Sequence, residues 1–166
     1  VVDSCGELPE NLKKDPHFQI IPLTLQVEHT QVIDDETFDQ KKFLELVRSS
    51  SECPQTACPS PEKFKEAFEC DVDQIFVITL SEHLSGTYNS AVLAKKLYEE
   101  EHGQEGKNIA VFSSDSASSG ELNIALYIQS LCQASLPFEE IVEKTRSFIK
   151  NMKTYFVLER DRKSVV

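Results

Sequence analysis

The chain has 166 residues and a formal net charge of -11 at pH 7, enough length for one domain with a real core and too little for two large ones. It has no apolar run long enough to span a membrane and no signal-peptide pattern, and it lacks the basic stripe that a nucleic-acid partner would need. Its five cysteines are odd in number and contain no CxxC pair, so zinc and disulfide frameworks are both disfavoured and reduced thiols in the cytoplasm are expected.

Val1-Val2-Asp3 reads as the end of a strand whose beginning lies upstream, followed by a polar turn, Asp3 to Pro9. Leu8-Pro9-Glu10 opens a short helix with proline at its first turn. Phe18 to Val27 is strand-like, with Pro22 marking an edge or a bulge, and Val32 to Asp35 is a second short strand or a turn. Phe38, Phe43, Leu44, Leu46 and Val47 place an amphipathic helix that the serines 49 to 51 end. Cys53 to Pro61 holds three prolines, Pro54, Pro59 and Pro61, and reads as a stiff loop.

Ser60 as N-cap and Pro61 at the first position start the next helix, with Phe64, Ala67 and Phe68 on its buried face. Gln74 to Leu80 is a β-rich apolar run of buried-strand length, and Tyr88, Ala91, Val92 and Leu97 predict a helix from Gly86 to Glu99. Asn108 to Phe112 is another buried strand. Helices follow over 121–134 and from Leu136-Pro137-Phe138 to Met152, and Tyr155 to Leu158 is a last strand. Alternating strands and helices predict an α/β fold: a mostly parallel sheet with helices on both faces.

In such folds ligands bind where strand carboxyl ends meet helix amino ends. Ser85-Gly86-Thr87 occupies that place, where free N–H groups and the helix dipole favour an anion. Asp3-Ser4, Gln55-Thr56-Ala57 and Ser113 to Ser119 are three further hydroxyl-rich loops that such a sheet would gather on the same edge. Hydroxyls and N–H groups without nearby Lys or Arg suit a small acceptor such as a carboxylate. Taken singly, Ser85 and Ser60 are explained by capping, and Asp115-Ser116 as a cap for the helix near Gly120. His83 reads as solvated, Cys58 as a packing thiol and Glu99-Glu100-Glu101 as a solvated helix end.

The chain contains no GxxxxGK[ST], GxGxxG or GxSxG motif. Ser85 stands on a strand-to-helix turn as in α/β hydrolases, but the glycine two residues before it is missing, and nothing nominates its histidine and acid. No catalytic residue and no metal ligand are therefore assigned. A hydrolase or phosphotransfer enzyme using Ser85 or His83, and a non-catalytic interaction domain, remain as alternatives.

Several motifs together resemble the DegV family of bacterial lipid-binding proteins. They are Val2-Asp3-Ser4 with Glu7-Leu8-Pro9, Ile21-Pro22-Leu23, Thr56-Ala57-Cys58-Pro59-Ser60, Leu84 to Ala91, Asp115-Ser116 with Ser119-Gly120, and Tyr155 to Glu159, in family order. The resemblance implies a two-domain protein that encloses one long-chain fatty acid as its ligand, with no cofactor. It implies that Thr56, Ser85 and Gly86 hold the carboxylate. It further implies a carrier rather than an enzyme, which in some members presents the acid to a separate ATP-dependent fatty acid kinase subunit for acyl-phosphate formation. Transient contact with a membrane stays open. Ala57-Cys58 stands where the family reads Ser-Gln, and no Gly-Gly-Arg follows Tyr155 to Glu159. Residues 1–153 are then the first domain, and 154–166 begin a second that is largely absent.

Overall fold

The computed structural model describes residues 1–103 and 106–155. Four short strands form a parallel sheet in the order β2-β1-β6-β7. They are β1 (Val2–Asp3), β2 (Ile20–Ile21), β6 (Gln74–Thr79) and β7 (Asn108–Ser113). β6 and β7 pair along their whole length, from Gln74 opposite Asn108 to Thr79 opposite Ser113. Side chains alternate across such strands, and the two faces have separate cores. Ile75, Val77 and Ile109 point to one face with Phe64, Phe68, Ala91 and Tyr98. Ile78, Ala110 and Phe112 point to the other with Ile124, Ile128, Ile141 and Ile149.

The helices that cover these faces follow from the pattern of apolar residues. α3 (Pro61–Phe68) and α4 (Thr87–His102) cover the first face. α5 (Ser119–Gln133) and α6 (Phe138–Asn151) cover the second, with Leu12 of the one-turn α1 (Glu10–Lys13) beside them. Proline precedes both α1 and α6, as Pro9 and Pro137 at their N-cap positions. The parallel sheet between two helical layers is the expected α/β architecture.

A second sheet, antiparallel and absent from the sequence reading, corrects two details. The expected strand from Phe18 to Val27 is broken at Pro22-Leu23: β2 ends at Ile21, and β3 (Thr24–Val27) belongs to a three-stranded sheet of order β4-β3-β5. Proline cannot donate a ladder bond, so the chain changes sheets there. β4 (Thr30–Ile33) is the hairpin partner of β3. β5 (Gln55–Ala57) lies within the stretch read as a loop, with Thr56 opposite Leu25. α2 (Gln40–Ser49) follows β4; Asp39 caps it by accepting the Lys42 N–H at 3.1 Å.

Of the strand expected over Tyr155 to Leu158, Tyr155 is exposed and outside regular structure. The remainder lies outside the described residues, as do all but the first two residues of the expected second-domain segment 154–166.

Candidate functional site

The carboxyl edge of the parallel sheet is held together by side chains from its own turns. Asp3, at the end of β1, is buried; its Oδ1 accepts the Cys5 N–H at 3.0 Å and its Oδ2 the Leu80 N–H at 2.7 Å. Leu80 follows β6 directly. The Ser81 carbonyl accepts the N–H groups of Leu84 and Ser85, which folds 81–85 into the turn that delivers the chain to α4. The neighbouring Ser4 accepts the Leu23 N–H on its Oγ at 3.0 Å. Leu23 begins the crossing into β3, the strand on which β5 and Thr56 are aligned. Asp3 and Ser4, adjacent in sequence, thus brace the two arms that carry the predicted site residues.

Ser85 is half-buried, and Gly86 and Thr56 are exposed. The Ser85 Oγ lies 2.8 Å from the Thr87 Oγ1 and accepts the Thr87 N–H at 3.3 Å. When Thr87 supplies the hydroxyl proton between them, the Ser85 O–H is free to donate outward. Gly86 is the N-cap of α4 and has no side chain to cover the first turn, whose N–H groups precede any helical acceptor. Its φ of -74° is ordinary. The need for glycine is spatial: a Cβ there would sit 3.3 Å from the Cys58 Sγ. Cys58 also lies 3.9 Å from the Ser90 Oγ. The Cys58 thiol, two residues beyond Thr56, therefore packs on the Ser85-Gly86 turn. Ser60 takes the N-cap position of α3 as expected, though without a cap bond from its hydroxyl.

The Ser113–Ser119 loop joins the same edge. The Ser81 N–H donates to the Ser116 carbonyl at 3.1 Å and the Glu82 N–H to the Ser113 Oγ at 3.0 Å. Asp115 and Ser116 do not cap α5, contrary to the sequence reading. Ser118, at φ 50°, holds the N-cap position and gives its hydroxyl to the Glu7 Oε2 at 2.6 Å. Ser116 is buried and receives the Thr154 hydroxyl at 2.7 Å. Its Oγ lies where a Cβ on Gly120 would stand, so any larger residue at 120 would displace it.

Two hollows differ in place and lining. The larger, about 540 Å³, lies at the opposite, amino edge of the sheet, among Val1, Phe18, Phe76, Ala125, Ile128 and Cys132. The smaller, about 400 Å³, opens at the carboxyl edge beside Tyr88 and includes Ser113, Asp115, Arg146, Lys150 and Met152. We assign the candidate site to the carboxyl edge because the converging hydroxyls and helix-terminal N–H groups are there. Arg146 and Lys150 qualify the expectation of an edge without cations. Both come from α6, and no local motif could have linked them to Tyr88.

Two groups of potential metal ligands stand near this edge. Glu82, His83 and Asp115 form one exposed set, and Asp3, Cys5 and Glu121 a buried one, each with ligand atoms within 4.8 Å of one another. His83 is exposed, as expected of a solvated loop histidine, and all five cysteines are unpaired. Among the described residues no helix is long and apolar enough to cross a membrane.

Comparison with known proteins agrees with the resemblance. A DegV domain-containing protein of Streptococcus gordonii is 37% identical over 152 residues, covering 90% of this chain and 52% of the relative. A DegV family protein of Ruminococcus gnavus, solved with vaccenic acid, superimposes with a TM-score of 0.86 at 48% identity, over 90% of this chain and 53% of that one. The fatty acid kinase (Fak) B3 protein of Streptococcus pneumoniae, loaded with linoleic acid, gives a TM-score of 0.81 at 32% identity, over 90% and 53%. The chain thus spans about half the length of these relatives. Residues 1–161 match the family described as uncharacterised protein, DegV family, and with the parallel sheet and its motif-bearing edge in place, the chain belongs to the DegV family.

Proposed function

We propose that this chain binds the carboxylate of a long-chain fatty acid at the carboxyl edge of its parallel sheet. Thr56 and Ser85 donate their hydroxyl protons, and the Gly86 N–H at the head of α4 completes the clamp. The observation that carries this reading is the packing of Cys58 against Gly86, which brings the Thr56 strand to a helix terminus already suited to an anion. The bound fatty acids of the Ruminococcus and Streptococcus pneumoniae proteins support the ligand class. Leu84, 64% exposed beside Ser85, and the adjoining Tyr88 offer apolar surface for the first carbons of the chain.

The protein acts as a carrier and not as an enzyme. In this reading 1–153 is the first domain and 154–166 leads into a second that closes over the acyl chain. The kinase designation of the pneumococcal relative supports a further step, presentation of the carboxylate to an ATP-dependent kinase subunit in the cytoplasm. A carboxylate held by hydroxyls and N–H groups keeps an oxygen free for such a partner.

Lipid extraction and mass spectrometry of the protein purified from its host tests the ligand class. A stoichiometric long-chain acid is expected, and it should be lost in Thr56→Ala/Ser85→Ala. Recovery of no acid, together with equal uptake of added acid by wild type and the double variant, would sink the proposal. Hydrolysis of an ester by the isolated protein, abolished by Ser85→Ala, would favour the enzyme reading instead.

A further inference from the structure

Glu121 lies in the first turn of α5 with its side chain fully buried, and neither of its carboxyl oxygens has a hydrogen-bond partner. Asp3, at the end of β1, is buried beside it. Cys5, in the turn that follows, completes a convergent set: a carboxyl oxygen of each acid and the Cys5 Sγ lie within 4.8 Å of one another. Gly6 permits the approach. A Cβ there would sit 2.6 Å from the Val2 Cγ1 and 3.5 Å from the Glu121 Cβ, so a side chain at 6 would wedge the head of α5 away from the β1 turn.

No cationic side chain answers the two acids. Among the described residues no lysine, arginine or histidine pairs with either carboxyl, and Asp34 adds negative charge to Asp3 from just beyond β4. Neighbouring carboxylates in an apolar interior need a positive partner. A shared proton meets only part of that need. Given by Glu121 to Asp3, it would engage one Glu121 oxygen and leave the other buried without a partner. It would also leave the converging sulfur without a role.

A metal ion can engage both Glu121 oxygens, an Asp3 oxygen and the thiol together. The N–H groups of Cys5 and Leu80, one on each Asp3 oxygen, are compatible with it. A carboxylate has about four lone-pair positions, so each Asp3 oxygen keeps one to give an ion. Metal-bound carboxylates are themselves commonly held by such hydrogen bonds.

We propose that Asp3, Cys5 and Glu121 form a structural site for a divalent transition-metal ion, with zinc the best fit. Mixed sulfur and carboxylate donors suit zinc, whereas magnesium and calcium take oxygen. With Glu121 binding through both oxygens, the three residues supply four donor atoms, the number that closes a structural zinc site. Coordination releases the Cys5 proton to water and leaves the cluster less negative than two bare carboxylates. Cys5 is only half-buried, which gives the ion its way in. Once bound, it pins the head of α5 to the end of β1, where Asp3 also holds Leu80. In the metal-free protein a shared proton takes the ion's place. The site stands apart from the carboxylate clamp and does not depend on it.

The test uses the full-length protein, stripped with a chelator, and Zn²⁺ or Co²⁺ alone as the probe. Wild type should take up about one equivalent of Zn²⁺ and melt at a higher temperature with it. With Co²⁺ it should develop the near-ultraviolet band of thiolate-to-cobalt charge transfer. Cys5→Ala should lose that band, and Glu121→Gln should bind Zn²⁺ at least about tenfold more weakly. Cys132→Ala, which removes an exposed thiol further along α5, should match wild type. Circular dichroism of the metal-free variants separates a lost site from a lost fold; if Glu121→Gln does not fold, Cys5→Ala decides alone. Zn²⁺ uptake no stronger in wild type than in Cys5→Ala means an adventitious ion only and would overturn the site. A cobalt band that survives Cys5→Ala would overturn it equally.

Discussion

The two edges of the parallel sheet offer opposite kinds of space. The amino edge has the larger cavity, lined mainly by apolar side chains from β1, β6 and α5. The carboxyl edge has the smaller hollow, yet it gathers the hydroxyls, the start of α4 and the turn fixed by Asp3. Volume and chemistry have separated. A parallel sheet explains why: its carboxyl ends all emerge on one side, so the helix amino termini and the polar turns before them collect there. The amino edge receives helix carboxyl ends, which disfavour anions. If the proposed clamp is right, the size of a cavity is a poor guide to where a carboxylate binds in this fold.

The contrast is broken most directly by substitution at each edge. Thr56→Ala/Ser85→Ala removes two hydrogen bonds to a charged group, each worth roughly 1.5–3 kcal/mol, so fatty-acid affinity should fall by about two orders of magnitude or more in a fluorescence displacement assay. Gln129→Leu, in the lining of the amino-edge cavity, should leave that affinity unchanged. A loss at Gln129 equal to that at the carboxyl edge would show that the ligand occupies the wrong hollow for this account.

A second test concerns the packing that brings the β5 arm to the helix start. Gly86→Val forces branched carbon into the space of the Cys58 Sγ and should destabilise the fold by about 1–3 kcal/mol in urea titration. Cys58→Ala vacates that space, so the double variant should recover part of the loss. Strictly additive effects would mean that the two sites do not meet.

The third concerns pH. The folded Glu121 carboxyl binds its proton more tightly than in the unfolded chain, where its ordinary value is 4.5, and burial raises it to about 9. Between these values the folded state holds the extra proton, so this contribution to stability is full below 4.5, declines as pH rises and is gone above about 9. In the metal-free protein, melting temperatures should therefore drift downward from pH 5 to pH 9 in wild type, and less steeply in Glu121→Gln. An equal drift in both would place the titration elsewhere.

The smallest effect is expected at Ser60. Its hydroxyl makes no cap bond, so Ser60→Ala should cost less than about 0.5 kcal/mol, below the usual loss at an N-cap serine. Its effect on fatty-acid affinity should be nil, in contrast with Ser85 one helix later.

Much of this organisation was legible in the sequence. The buried runs of β6 and β7, the helix patterns around them and the strand-to-helix turn at Ser85 are local signals, and local signals survive without tertiary context. β5 was not legible, because Gln55–Ala57 sits among prolines and becomes a strand only by pairing with Thr24–Gln26, some thirty residues away. Pro22 read as an edge or a bulge within one strand, not as a change of sheet. Nothing in the sequence sets Glu121 apart from an ordinary acid in a first helical turn, where acids are favoured; its burial comes with Asp3, Cys5 and Gly6 from the other end of the chain. Arg146 and Lys150 escaped notice for the same reason.

The bond from the Leu80 N–H to Asp3 spans 77 residues of sequence, and the one from Ser118 to Glu7 spans 111. Contacts of such separation close large loops and form only when the rest of the topology is already in place. The carboxyl edge therefore has no existence in a partly folded chain. Any ligand that recognises it draws on the stability of the whole sheet, raising resistance to unfolding in the α5 and α6 layer as much as beside Ser85.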